Sequence, residues 1–189
     1  DMAKKEDNVQ FFAGDLRERL TQANLLSATI DAFDRVDILV NASRQVLTSD
    51  PLNSEDDAVE QLLQQNMMTS LRMTQMVAKR MIKQAEKEGN DSNSAGAIVN
   101  LSSILATRTH PDLLAFSVSA AALDQMTRSM AVALAPNHIR VNALAFGSVM
   151  SCSLKDTLKD NRDFRNDIES HTPMGRIASP TEVAEAVHF

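Results

Sequence analysis

The side chains able to do chemistry gather in four short stretches: Asp15; Asn41, Ala42, Ser43 and Arg44; Ser102 and Ser103; and Phe146 to Ser151, which contains Gly147 and ends on Ser151. Each follows a run of apolar, β-favouring residues, so each is a place where a strand would stop. Hydroxyls such as those of Ser103 and Ser151 could hydrogen-bond a ligand oxygen there, although Ser103 taken alone is an ordinary turn hydroxyl. His110, in a His-Pro dipeptide, carries an imidazole that could serve as an acid. Asn66 falls on the apolar side of a long helical pattern, where it is either a site amide or a hydrogen-bonded core residue. Cys152 has no adjoining Lys, Arg or His to stabilise a thiolate and reads as a plain thiol. The four histidines lie without ligand spacing, so no metal site is expected. There is no Tyr and no Trp, which excludes a phenol as proton donor. The five glycines are too dispersed for a phosphate-cradling GxGxxG turn.

The elements that must position these residues alternate along the chain. Apolar runs at 9–14, 36–41, 97–102 and 139–145 predict four buried strands. Between them, Leu16, Leu20, Ala23, Ile30 and Phe33 have helical spacing. A long helix is expected from about Glu55 to Glu88, with Ser54 as its N-cap. It carries Val59, Leu62, Leu63, Met67, Leu71, Val77 and Met81 inward and gathers Lys79, Arg80, Lys83 and Lys87 at its C-terminal end. Residues 88–96 read as a polar loop. Residues 113–134 form a helix apolar nearly all round, which needs cover on two sides, and Pro136 and Asn137 break it. Residues 147–172 suggest short helices on a flap. Ser179, Pro180 and Glu182 predict a capping box that opens a last helix. Apolar strands alternating with helices imply an α/β fold, a parallel sheet covered on both faces with ligands beyond the carboxyl ends of its strands.

Size and charge narrow the function classes. The 189 residues fit one domain spanning 1–189. A net charge of -6 argues against nucleic acid as a partner. The longest apolar run, Met130 to Ala135, is far short of the ~18 residues a membrane span requires. A lone cysteine suits a reducing, cytoplasmic setting.

The strand ends taken together resemble the short-chain dehydrogenase/reductase family. VDILVNAS at Val36 to Ser43 is similar to the family's strand ending in Asn-Asn-Ala-Gly, AIVNLSS at Ala97 to Ser103 to its catalytic-serine strand, and IRVNALAFG at Ile139 to Gly147 to its IRVNxxxPG segment. PMGRIASPTEVAEAV at Pro173 to Val187 continues the match. The resemblance implies a Rossmann-like doubly wound sheet in three α/β/α layers, truncated at both ends. The family's first strand, glycine-rich turn, second strand and last strand have no counterpart here. It further implies a carbonyl or alcohol substrate, NAD or NADP as cofactor, and a homodimer or homotetramer built on the helices at about 55–88 and 113–134.

By the same resemblance, Asp15 meets the adenine ring and Asn41, Ala42, Ser43, Gly147 and Ser151 line the cofactor side. Asn66 holds a proton-relay water, and Ser103 hydrogen-bonds the substrate oxygen. The family's tyrosine and lysine fall on Phe116 and Ala120, in AFSVSAAAL where the family reads AYSxSKAAL. Phe116 keeps the ring and loses the proton, and Ala120 loses a cation. Arg44 stands at the glycine of Asn-Asn-Ala-Gly, and Phe146 at the proline of the Pro-Gly pair. These exchanges predict weak cofactor binding and an impaired or unconventional oxidoreductase using Ser103, Asn66 and a water or His110. The alternative is a catalytically silent binding or assembly subunit on the same fold.

Overall fold

The computed structural model describes residues 8–53, 55–89, 94–159 and 162–189. They fall into two compact units that divide between Ala143 and Leu144. The first holds α1 (Arg19–Phe33), β1 (Ile38–Asn41), α2 (Ala58–Leu62), a π-helical turn (Leu63–Met68), α3 (Thr69–Lys87), β2 (Gly96–Ser103), α4 (Leu114–Leu134) and the start of β3 (Ile139–Phe146). The second holds the end of β3, then α5 (Cys152–Leu158), α6 (Arg162–Ser170) and α7 (Pro180–His188).

The three strands form one sheet in the order β1-β2-β3. β1 and β2 are parallel, with Ile38 opposite Ala97 and Asn41 opposite Asn100. That register sets two asparagine side chains next to each other at the carboxyl end of the sheet. The core of the first unit lies between α3, β2, β3 and α4, where Met73, Val77, Met81, Ile98, Leu134 and Ile139 are buried together. Gly96 lets β2 start against this layer, because a Cβ there would fall 2.5 Å from the Met81 sulfur.

The expected strand at 9–14 is not formed. Residues 9–13 have no ladder pairing, and Phe11 is 79% exposed. A strand exists only where a neighbour takes its hydrogen bonds, and among the described residues none lies beside this run to do so. The outer side of β1 is open as well, with Ile38 66% exposed.

The long helix also departs from expectation. It begins at Ala58, three residues later than Glu55, because the Asp56 carboxylate accepts the N–H groups of Ala58 and Asp50 and holds the chain in a turn. Ser54, the expected cap, lies outside the described residues. The helix then takes a π turn over Leu63–Met68, whose extra residue brings Asn66 to the inside and leaves Met67 and Leu71 half-buried. The remaining boundaries agree closely. α4 ends at Leu134, and a left-handed His138 (φ 55°) turns the chain into β3. In the second unit the capping box of Ser179 and Glu182 opens α7. No helix among the described residues is long and apolar enough to cross a membrane.

Candidate active site

Two levels of side chains meet at the carboxyl ends of β1 and β2. The lower level is a hydrogen-bonded chain. Asn41 Nδ2 donates to Thr74 Oγ1 (3.2 Å) and to Asn100 Oδ1 (2.7 Å). Asn100 Nδ2 donates to Thr127 Oγ1 (2.8 Å), whose hydroxyl donates to the Leu123 carbonyl (2.8 Å). Asn100 is fully buried, so each of its partners is needed to offset desolvation. The chain ties β1 to α3 and β2 to α4 at the level where the strands stop.

Above it, Arg44, Asn66, Ser102, Ser103, Phe116 and Ala120 line a pocket with room for about one water molecule. Phe116 and Ala120, one turn apart on α4, are each only 4% exposed. Ser103 closes β2, and its Oγ accepts the Leu105 N–H (3.2 Å). Ser102 is buried, with no hydrogen-bond partner for its hydroxyl among the described residues. Asn66 is bound on every side: its Oδ1 accepts the Gln45 N–H (2.8 Å), and its Nδ2 donates to the Gln45 carbonyl (2.9 Å) and to Ser119 Oγ (3.1 Å). The π turn aims the amide this way, spending both its N–H donors on protein groups.

Arg44, at the position where the family resemblance has a glycine, folds inward. Its Nη1 donates to the Ser102 carbonyl (3.0 Å), and its guanidinium carbon lies 5.5 Å from the centroid of the Phe116 ring. Burial lowers its pKa from the usual arginine value, which fits a partly desolvated cation on an aromatic face. Asn100 was missed altogether. Its signal was available in the two asparagines that end parallel runs in VDILVN and AIVN, since parallel pairing of those runs sets them side by side.

The other expected residues lie elsewhere. His110 does not line the pocket; its exposed ring caps a short 3₁₀ turn, with Nδ1 accepting the Asp112 N–H (3.3 Å). Asp15 is held by Arg17, whose Nη2 lies 2.6 Å from Oδ2, and this pairing lowers its pKa to about 2. Ala42 is exposed, and Ser43 Oγ accepts from Gln65 Nε2 (3.0 Å). Gly147 and Ser151 belong to the second unit, where Ser151 caps α5 by accepting the Leu154 N–H. The side chain of Cys152 lies outside what the structure describes.

A parallel sheet with helices between its strands, and a serine, an asparagine pair and a helix face converging beyond the strand ends, define a doubly wound α/β framework with a candidate site where ligands of such folds bind. A family profile described as enoyl-(acyl carrier protein) reductase matches residues 1–189. A short-chain dehydrogenase of Penicillium roqueforti is 30% identical over 184 residues, covering 94% of this chain and 67% of that protein. A 7alpha-hydroxysteroid dehydrogenase of Clostridium sardiniense is 27% identical over 192 residues, covering 100% and 69%. Among solved structures, ElxO with NADP bound superposes with a TM-score of 0.85 at 22% identity, covering 97% of this chain and 71% of that one. The chain belongs to the short-chain dehydrogenase/reductase family, and it spans about two thirds of the length of these relatives.

Proposed function

We propose that this chain is a short-chain oxidoreductase for a carbonyl or alcohol substrate, with NAD or NADP as its cofactor type, in which proton transfer is impaired. The observation that carries the reading is the contrast at α4. The hydrogen-bonded chain beneath the pocket is complete, while the two α4 positions facing Ser103 carry a phenyl ring and a methyl group. Neither can donate a proton. General acid catalysis is worth about 10²- to 10⁴-fold, so its loss leaves a slow reaction rather than a different one.

Family relatives support the cofactor type: ElxO is solved with NADP bound, and a tyrosine-to-phenylalanine variant of it with NADPH bound. This chain's own residues fit a dinucleotide poorly. Ala120 has no ammonium to grip a ribose, Arg44 lies across Phe116, and the Asp15 carboxylate is paired with Arg17. What the chain's residues can do is narrower. Ser103 can offer a hydroxyl hydrogen to a ligand oxygen, since its lone pair already accepts from Leu105. Asn66 fixes Gln45 and Ser119 around the pocket.

The second reading, a silent binding or assembly subunit, draws on Leu114, Val118 and Val132, which leave apolar surface of α4 exposed. With α3 they offer a face for a homodimer or homotetramer. Two measurements separate the readings. Oxidation of NADPH or NADH with a panel of small aldehydes and ketones should give slow but saturable turnover. No turnover at any enzyme concentration, with a dimer in sedimentation, would establish the assembly role.

A further inference from the structure

The segment that follows β1 is fastened to the pocket at four points. Arg44 reaches the Ser102 carbonyl and the Phe116 ring. Gln45 gives both its backbone groups to Asn66. Leu47 packs against the buried cluster of Ala58, Leu62, Ala115 and Phe116. Ser49 is buried at the start of α4, where its N–H donates to the Asp112 carbonyl (2.9 Å) and its Oγ accepts the Ala115 N–H (3.0 Å). Residues 44–49 thus form a strap across the face of the pocket that Phe116 and Ala120 line.

The four fastenings are not equivalent. Gln45, Leu47 and Ser49 do not line the pocket. Arg44 alone among residues 44–49 contributes to the lining. Its side chain is long, and its guanidinium sits on the Phe116 ring, which lines the pocket together with Ser103. Its contacts include a hydrogen bond to a main-chain carbonyl and a cation–π contact. The pocket beside it holds only about one water, which is too little for any carbonyl compound or for a nicotinamide ring.

We propose that Arg44 is the specificity-determining latch of this pocket: seated on Phe116 and tied to Ser102, it closes the room beside Ser103 and Ala120, and a ligand enters only when that side chain leaves. This rests on the proposed function for what the pocket would hold, but the closure itself is a property of the chain alone. Removing the side chain beyond Cβ vacates the face of Phe116 while leaving Gln45, Leu47 and Ser49 to hold the strap in place. The latch also accounts for a feature of the sequence that the lost proton donor does not, namely the arginine at a position where the family resemblance has a glycine.

The test reads access, not turnover, so it fails or succeeds independently of any oxidoreductase activity. In a Cys152→Ser background, which removes the one native cysteine, Ala120→Cys places a thiol on the pocket wall. Val132→Cys, on the exposed face of α4 where the native side chain is 77% exposed, reports unhindered reactivity. Labelling with methyl methanethiosulfonate should be slow for Ala120→Cys with Arg44 present and at least tenfold faster with Arg44→Ala. The rate for Val132→Cys should be unchanged by the same exchange. Arg44→Gln, which keeps a polar side chain but cannot cap the ring, should also speed labelling and serves if Arg44→Ala lacks a cooperative thermal transition. Equal labelling rates for the Ala120→Cys thiol with Arg44 and with whichever replacement retains that transition would overturn the latch. So would a tenfold rise shared by the Val132→Cys thiol, which would report general loosening instead.

Discussion

Below the pocket, Thr74, Asn41, Asn100 and Thr127 form an unbroken hydrogen-bonded chain between two strands and two helices. In the level above, Phe116 and Ala120 offer only carbon, and the nearby cation comes from Arg44 on the strap. The two levels answer to different demands. Removing any member of the lower level strands a buried polar group, so the fold itself holds those residues in place. The upper level tolerates exchange because a phenyl ring and a methyl group pack well at buried positions. On the proposed function, proton chemistry is lost in the upper level while the lower level keeps the framework.

The comparison is sharpest where it concerns stability. If Phe116 works here as packing, Phe116→Ala should cost about 3–5 kcal/mol in urea unfolding, the range for a buried aromatic truncated to a methyl group. A loss under about 1 kcal/mol would mean the ring is not part of the core. Asn100→Leu should cost about 2–3 kcal/mol, since Asn41 and Thr127 each lose a buried partner. A neutral result would show that the lower level is not held by stability, and the contrast would collapse. Ser49→Ala should cost about 1 kcal/mol, the usual net worth of one hydrogen bond, by freeing the Ala115 N–H.

The smallest effect is expected in the second unit, at Glu182. Arg176 bonds its carboxylate through both guanidinium nitrogens (2.8 and 2.6 Å), and the Ser179 N–H adds a third bond. Together they lower its pKa from 4.5 to about 2. Because the folded value lies below the unfolded one, the contribution is fully present above pH 4.5 and fades as pH falls through about 2. Acid titration of helicity should show this component, and Glu182→Gln should remove it. Both partners are exposed, so the change will be modest.

How much of this was legible in the sequence varied with how local each signal was. The capping box of α7 was fully readable, because Ser179 and Glu182 satisfy each other's neighbours within one turn. The strands at 36–41, 97–102 and 139–145 were readable because Val, Ile, Leu and Ala dominate each short segment. The run at 9–14 misled because β propensity says nothing of whether a partner strand is there. The π turn was hidden, since Asn66 on a helical pattern gives no sign that one extra residue will be inserted around it. That Phe116 and Ala120 share one face of a helix was readable from their spacing of four. The inward fold of Arg44 was not, because an arginine's reach is decided by distant groups, here a carbonyl on β2 and a ring on α4.

The most direct measurement of the central claim is the rate of NADPH-dependent carbonyl reduction by Phe116→Tyr with Ala120→Lys. It should be made in a chain carrying a relative's glycine-rich strand–turn–strand ahead of residue 1, and in the Arg44→Ala background so that access does not mask chemistry. If the lower level still positions a reacting carbonyl, the double variant should exceed its parent by at least tenfold. Neither single exchange should do so, because phenol and ammonium act as one unit. A double variant no faster than its parent, together with His110→Ala abolishing an existing activity, would contradict the account and place the acid elsewhere.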